Sequence, residues 1–473
     1  MSDTSRKMKL GAFLYPTGHH LGGWRHPQGQ ADGGMNLRHY IDLARKAEQG
    51  RLDFIFFADT LGARDAANVE AWSYSPKYTG QFEPLTLLSA IAVMTDRIGL
   101  VTTATTSYNE PFHIARKFAS LDHLSGGRAG WNLVTSSSPD EAFNFGLDAH
   151  VPHAERYDRA REFAEVVKGL WDTWEDDAFL RNKESGRYFD PAKFHMLNHR
   201  GHWFRVRGPL NVARPVQGYP VIVQAGSSET GMELAAETAD VVFTAQRTIE
   251  QAQAFYANLK GRMAKYGRKP EHLKILPGVM PIVGRTAKEA AEKYDYLQSL
   301  IHPAVGLSLL SDMLGGIDLT GYALDGPFPQ DLPDSNGGKS RAALITEMAR
   351  NDGLTLRQVY LRIAGARGHW TVVGTPAEIV DQLEQRFRAG GADGYNIMPA
   401  SLPTSLNEFV ELVVPELQQR GLFRADYEGP TLRENLELPR PAHPATADAN
   451  TANLPSQAAM AEIRISDAAE RAP

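Results

Sequence analysis

An apolar, β-branched run, PVIVQAGSSETG at 220–231, stops at a glycine and two serines and turns at once into a helical pattern. A continuous hydrophobic run of this kind reads as a buried parallel strand. A Gly-Ser-Ser turn opening a helix offers backbone N–H groups, two hydroxyls and the positive end of the helix dipole. That is a phosphate site built without a lysine, although Ser227 or Ser228 serves equally as a plain helix cap. In VPHAERYDRAREF, His153 and Tyr157 stand four residues apart on one helix face. Such a pair clamps a ring, bonds a phosphate, or simply packs. Other candidates lie where strands should end: Asp59, Thr105, Asn132, Thr135 and Gln224. Asp59 follows five apolar residues and either bonds a polar cofactor edge or caps its loop. His20, His113 and His153 are the natural acid–base candidates, because a histidine titrates near working pH.

Several other chemistries fail on spacing. There is no cysteine, which excludes disulfides, thiolate zinc sites and a cysteine nucleophile. The GGKS at 337–340 lacks the first glycine of a phosphate-binding loop, since position 333 is Pro333. No G-x-G-x-x-G follows a strand, and G-x-S-x-G is absent. His195, His199 and His202 lack a paired carboxylate motif, and no metal site is expected.

These residues need a scaffold, and the chain repeats one. Strand-like runs fall at 9–14, 53–59, 98–105, 130–135, 220–226, 240–245, 273–283 and 394–398, with helical patterns in most gaps. Eight alternations of strand and helix predict a (β/α)8 barrel, whose active site lies at the C-terminal strand ends. A single domain is expected over 1–440, with insertions after strands 4 and 7 at about 136–219 and 284–393. The Gly/Pro-rich stretch 314–340 in the second insertion reads as a lid. The loop 17–27 reads as part of the substrate rim. The tail 441–473 loses periodicity and reads as disordered or wrapped on a partner subunit.

The net charge of −6 comes from 50 basic and 56 acidic residues without blocks. Nucleic acid and anionic membranes are therefore not expected partners. No signal-like segment or long apolar run is visible, so a cytoplasmic protein is expected.

The segments FFAD (56–59), FEPLTLLSAIAVMTDRIGL (82–100), TTATTSYNEPFHIARKFASLDHLSGGRAGWNLVTS (102–136), HAERY (153–157) and PVIVQAGSSETG together resemble the bacterial-luciferase-like flavin monooxygenases. More narrowly, with GYALDGPFP (321–329), HWTVVGTPAEIVDQLE (369–384) and VVPELQQRGLFRADYEGPTLRENL (413–436), the chain is similar to the nitrilotriacetate and dibenzothiophene-sulfone monooxygenase branch. The resemblance covers roughly residues 8 to 440. It implies a TIM barrel binding FMN, delivered as FMNH2 by a separate NAD(P)H:FMN reductase. Reduced FMN then reacts with O2 to a C4a-(hydro)peroxyflavin, which passes one oxygen atom to a sulfone, an aminopolycarboxylate or a similar small molecule. Carried over by motif, the cofactor contacts are Asp59, Thr105, His153, Tyr157 and Ser227, with Asn132 and Ser228 as further contacts. His20 and His113 are the candidate catalytic residues. A homodimer or homotetramer is expected. The alternatives are an F420-dependent oxidoreductase of the same superfamily or a non-catalytic flavin-binding protein.

Overall fold

The computed structural model describes residues 6–63, 69–76, 79–136, 138–314, 316–329, 339–366 and 368–447. Its strands are β1 (Lys9–Phe13), β2 (Phe54–Phe57), β3 (Gly99–Thr105), β4 (Ala129–Val134), β5 (His199–Arg200), β6 (Arg205–Val206), β7 (Val221–Gln224), β8 (Val241–Thr244), β9 (Lys274–Val283), β10 (Trp370–Gly374) and β11 (Gly394–Ile397). Parallel pairing runs β1–β2–β3–β4–β7–β8–β9–β11 and returns from β11 to β1. Eight strands thus close a (β/α)8 barrel, as expected. The strand pair β5–β6 is a small antiparallel hairpin outside it.

The eight expected strands include no counterpart of β10. This strand runs parallel to the last five residues of β9, from Trp370 beside Val279 to Gly374 beside Val283. Among its described residues the second insertion therefore carries a ninth strand together with five helices, at Ala287–Ser299, Pro303–Met313, Lys339–Asn351, Leu356–Ala364 and Pro376–Arg388.

Period-two alternation sorts each barrel strand into two buried faces. In β2, Phe54 and Phe56 point into the barrel while Ile55 and Phe57 pack toward the helices. In β3, Val101 points inward, which places Thr103 and Thr105 inward too. In β4, Trp131 and Leu133 pack outward against the helices Pro111–Ser125 and His153–Trp171, which leaves Asn132 facing inward.

The lower end of the barrel is plugged by the chain's own C-terminal segment. Leu432, Leu436 and Leu438 join the interior cluster. Around them, Arg424 pairs with buried Asp53 at the entry to β2. Lys9 Nζ at the entry to β1 donates to the Asn435 carbonyl at 3.0 Å. Arg433 reaches Asp240, before β8, at 2.7 Å. Leu432 N donates to the Gly127 carbonyl, before β4, at 3.0 Å. Residues 441–447 continue this packing: His443 is buried, and its Nε2 meets the Asp172 carbonyl at 2.9 Å. The expected disordered tail from 448 onward lies outside the described residues.

Sealing one end leaves the other for chemistry. Trp24 Nε1 of the loop after β1 donates to the Tyr74 carbonyl at 3.2 Å, and Tyr74 stacks on His302 at 3.6 Å. The second insertion has its own small core, in which Leu21 meets Leu310, Leu356 and Tyr360. Of the expected lid at 314–340, residues 315 and 330–338 lie outside the described set. The rest joins this core through Leu319 and Phe328, and Arg357 grips Asp325 at 2.7 and 3.0 Å.

Candidate active site

At the C-terminal ends of β2, β3 and β4 the inward side chains form one polar cluster. Asn132 lies beside Thr103 in register, and its Nδ2 donates to Thr103 Oγ1 at 2.8 Å. Thr103 Oγ1 in turn donates to the Phe57 carbonyl at 3.2 Å. Asn132 Oδ1 is buried and has no partner among the described residues. A buried acceptor left open costs free energy, so it marks a place where a donor should arrive. Asp59 lies two residues beyond β2 and is half-buried. Burial, with the nearby charges of Glu83 and Glu141, pushes its carboxyl up to about 7 against a backbone hydrogen bond from Thr60. The protein thus holds a carboxyl that is part protonated at neutral pH. Thr105 ends β3; its Oγ1 accepts from Ser107 N at 3.1 Å and lies 2.8 Å from Ser136 Oγ.

The second part is the turn after β7. The helix Glu229–Thr238 is capped by Ser228, whose side chain accepts from Gly231 N at 3.1 Å. Tyr157 reaches over this turn from the helix His153–Trp171, with its ring 4.7 Å from that of His153. A Cβ on Gly226 would stand 3.0 Å from Gly231 Cα and 3.3 Å from the Tyr157 hydroxyl. A Cβ on Gly231 would stand 3.1 Å from that hydroxyl and from Ser228 Oγ. The two glycines therefore keep open a cradle ringed by a phenol, a serine hydroxyl and a helix N-terminus. Exposed Ser227 sits on its lip. An anion fits this donor set of N–H groups and hydroxyls, and the carboxylate of Glu229 in the same turn is paired with Arg262 at 2.6 Å.

Among the sequence candidates, then, Thr105 and Asn132 come together with Asp59 on one side, while His153, Tyr157, Ser227 and Ser228 come together on the other. Gln224 leaves the set. Period two turns it outward, and its Nε2 donates to Thr238 Oγ1 at 2.6 Å, fastening strand to helix. The two catalytic candidates are placed elsewhere. His20 is buried in the loop after β1, where Nδ1 accepts from Gly22 N at 3.1 Å and Nε2 meets Gln298 Oε1 at 2.9 Å. Burial drives its pKa down to about 4, so the ring stays neutral. His113 is exposed on the helix Pro111–Ser125. Neither makes a hydrogen bond to the polar cluster among the described residues. Arg205 and Arg207, possible substrate-binding cations by type, sit on and beside the β5–β6 hairpin, which packs against the helix His153–Trp171 through Glu162. Glu175, His195 and His443 offer ligand atoms within 4.8 Å of one another. Both ring nitrogens of His443 are, however, engaged with backbone groups.

Sequence reasoning passed over Ser136, Glu141 and Arg156. Ser136 is a non-glycine residue with φ 56°, and nothing in TSSSP announces that. Glu141 reads locally as an ordinary first-turn acid of the short helix Pro139–Phe143.

Residues 12–394 match the family model described as luciferase-like monooxygenase. The chain is 52% identical over 444 residues to N-acetyl-S-(2-succino)cysteine monooxygenase of Bacillus subtilis, covering 94% of this chain and 99% of that one. It is also 52% identical to nitrilotriacetate monooxygenase component A of Aminobacter aminovorans, covering 92% and 98%. The solved structure of EDTA monooxygenase from Chelativorans sp. BNC1 superposes with a TM-score of 0.78 at 33% identity, covering 93% and 100%. Among the described residues no helix is long and apolar enough to cross a membrane. A family match across most of the barrel, with relatives aligned end to end, places this chain among the luciferase-like flavin-dependent monooxygenases, in the branch that includes nitrilotriacetate and dibenzothiophene-sulfone monooxygenases.

Proposed function

We propose that this chain is the oxygenase of a two-component system. It takes FMNH2 from a separate NAD(P)H:FMN reductase and transfers one atom of O2 to a small organic substrate, the other atom leaving as water. The glycine-lined cradle under Tyr157 is the observation that carries the FMN assignment, because a phosphate needs N–H and O–H donors at a helix start. Ser227, Ser228, Tyr157 and His153 hold the phosphate. Asp59, Thr105 and Asn132 face the ring, and the open Asn132 Oδ1 accepts from it. Bound reduced FMN supplies the electrons and the carbon that activates O2. The chain's part is to bind, to orient and to exclude water, which the apolar second insertion beside the mouth supports. At Asp59 the protein holds a proton near neutral pH.

The two relatives at 52% identity are named for small polycarboxylic acids, which favours a polycarboxylate substrate over a sulfone. The F420 reading is not favoured, since relatives at that identity are named monooxygenases. Fluorescence titration with FMN and riboflavin tests the cradle. FMN is expected to bind at least tenfold tighter than riboflavin, with the gap closing in Ser227→Ala and Tyr157→Phe, each removing a hydrogen bond to a charged group. Equal affinity for the two flavins in the wild type sinks the phosphate assignment. A coupled assay with a flavin reductase and labelled O2, run on polycarboxylates and sulfones side by side, identifies the substrate class.

A further inference from the structure

At the end of the helix His153–Trp171 that lies away from the mouth, one lysine stands without a partner. Lys168 is half-buried, and its side chain makes no hydrogen bond or ion pair among the described residues. The acids around it are already engaged. Asp240, before β8, takes Arg433 at 2.7 Å and the backbone N–H of Ile222 at 2.9 Å, and Arg268 stands 3.9 Å away from it. Glu237 is held by Arg161 at 2.8 Å. Asp172, one turn further along the helix, is held by Arg214 at 2.9 Å. Arg268 is fixed in place by the carbonyls of Ala236 and Ala239, at 2.9 and 2.6 Å.

Lys168, Arg268 and Arg433 thus share the single carboxylate of Asp240, which leaves two positive charges in excess when the lysine is protonated. Burial, with the guanidiniums of Arg268 and Arg433, lowers the amine to about 8 against the pull of Asp240 and Glu237. At pH 7.5 such an amine is about a quarter neutral, whereas an ordinary lysine near 10.5 is neutral in about one part in a thousand. Losing the proton removes only one of the two excess charges. Gaining an anionic group as well removes both.

We propose that Lys168 is a carbamylation site, whose neutral amine adds CO2 to give a carbamate facing Arg268 and Arg433. The nitrogen lone pair forms the N–C bond, one C=O π pair moves onto oxygen, and one proton leaves nitrogen for water. Nothing is oxidised or reduced. The side chain passes from cation to anion, so two guanidiniums then face two anions and the cluster is neutral. A carbamate is a planar, two-oxygen acceptor, the shape that a guanidinium recognises. Lys288 gains neither advantage: its side chain is 84% exposed and has Glu292 at 3.7 Å. The adduct acts as a brace. It ties the helix that carries His153 and Tyr157 to Arg433 of the segment that plugs the barrel.

The test equilibrates the full chain with carbon-13 bicarbonate at pH 7.5, traps carbamates as ethyl esters with triethyloxonium ion, and locates them by peptide mass spectrometry. Lys168 is expected to carry at least ten times the label of Lys288, and Lys168→Arg to carry none at that position. Label at Lys168 that is absent, or no higher than at Lys288, overturns the proposal. Scanning fluorimetry in bicarbonate against chloride at equal ionic strength reads the brace. The melting temperature of wild type is expected to rise by about 1–2 °C and that of Lys168→Arg to stay unchanged; equal shifts in both overturn the brace. If Lys168→Arg does not fold, the ratio of label between Lys168 and Lys288 in wild type decides by itself.

Discussion

Replacing Asp59 by asparagine keeps the shape of the side chain and removes its charge. The carboxyl moves from an ordinary 3.8 to about 7 on folding, chiefly through burial. The folded state therefore holds the proton more tightly than the unfolded chain. The resulting stability is complete below pH 3.8 and is lost as the pH rises through 3.8 toward 7. About three pH units at roughly 1.36 kcal/mol each make the loss about 4 kcal/mol at pH 8. At pH 5 only about 1.7 kcal/mol has accrued, so asparagine should gain about 2.5 kcal/mol on the wild type between pH 5 and pH 8. Unfolding entropy of about 2.1 cal/mol/K per residue, over a chain of this length, converts 1 kcal/mol to roughly 1 °C. Scanning fluorimetry should show the melting temperature of Asp59→Asn, relative to wild type, rising by about 2–3 °C over that range. A difference that stays flat or falls with pH refutes the claim that the mouth desolvates this carboxyl.

Three further outcomes follow from the same geometry. Gly226→Ala drives a Cβ to 3.0 Å from the Gly231 backbone and is expected to weaken FMN by tenfold or more while sparing riboflavin, as read by fluorescence titration; equal losses for both would place the clash elsewhere. Arg424→Met leaves Asp53, fully buried, without its cation and should cost about 3–5 kcal/mol in chemical denaturation, most of it recovered when Asp53→Asn is added. His20, lowered from 6.5 to about 4, binds its proton less tightly in the fold, so its stabilising effect is present above pH 6.5 and fades as the pH falls toward 4. His20→Gln should accordingly lose less melting temperature than wild type on acidification, and its pH–rate profile between pH 6 and 8 should keep the wild-type shape.

Much of the scaffold is legible in the sequence because it is set by local pattern. A run such as DFIFFAD is apolar on both faces and ends in a polar residue, and only a buried parallel strand suits it. Eight such runs alternating with helices leave few other closures than a barrel. The strand end then nominates Asp59, Thr105 and Ser227, and helical spacing nominates His153 with Tyr157. The missing strand, Trp370–Gly374, shows the limit. Three of its five residues are half-buried and two are buried, and they make a strand because the end of β9 stands ready to pair, a condition set about ninety residues away.

What the sequence by itself determined is which residues lie at the mouth, because strand period and strand ends are properties of neighbours in the chain. Only the tertiary structure decided what those residues do. Gln224 and Asn132 are both amides on barrel strands, yet one is tied outward to Thr238 and the other points inward with an oxygen unpaired. His20 has the right chemistry by type, and burial against Gln298 takes its proton away. Glu141 looks like a helix-start acid, yet it stands 2.7 Å from Ser136 Oγ because Ser136 is bent into a left-handed turn. Proton affinity and hydrogen-bond direction depend on which atoms surround a group in space, and those atoms come from residues the chain does not place side by side.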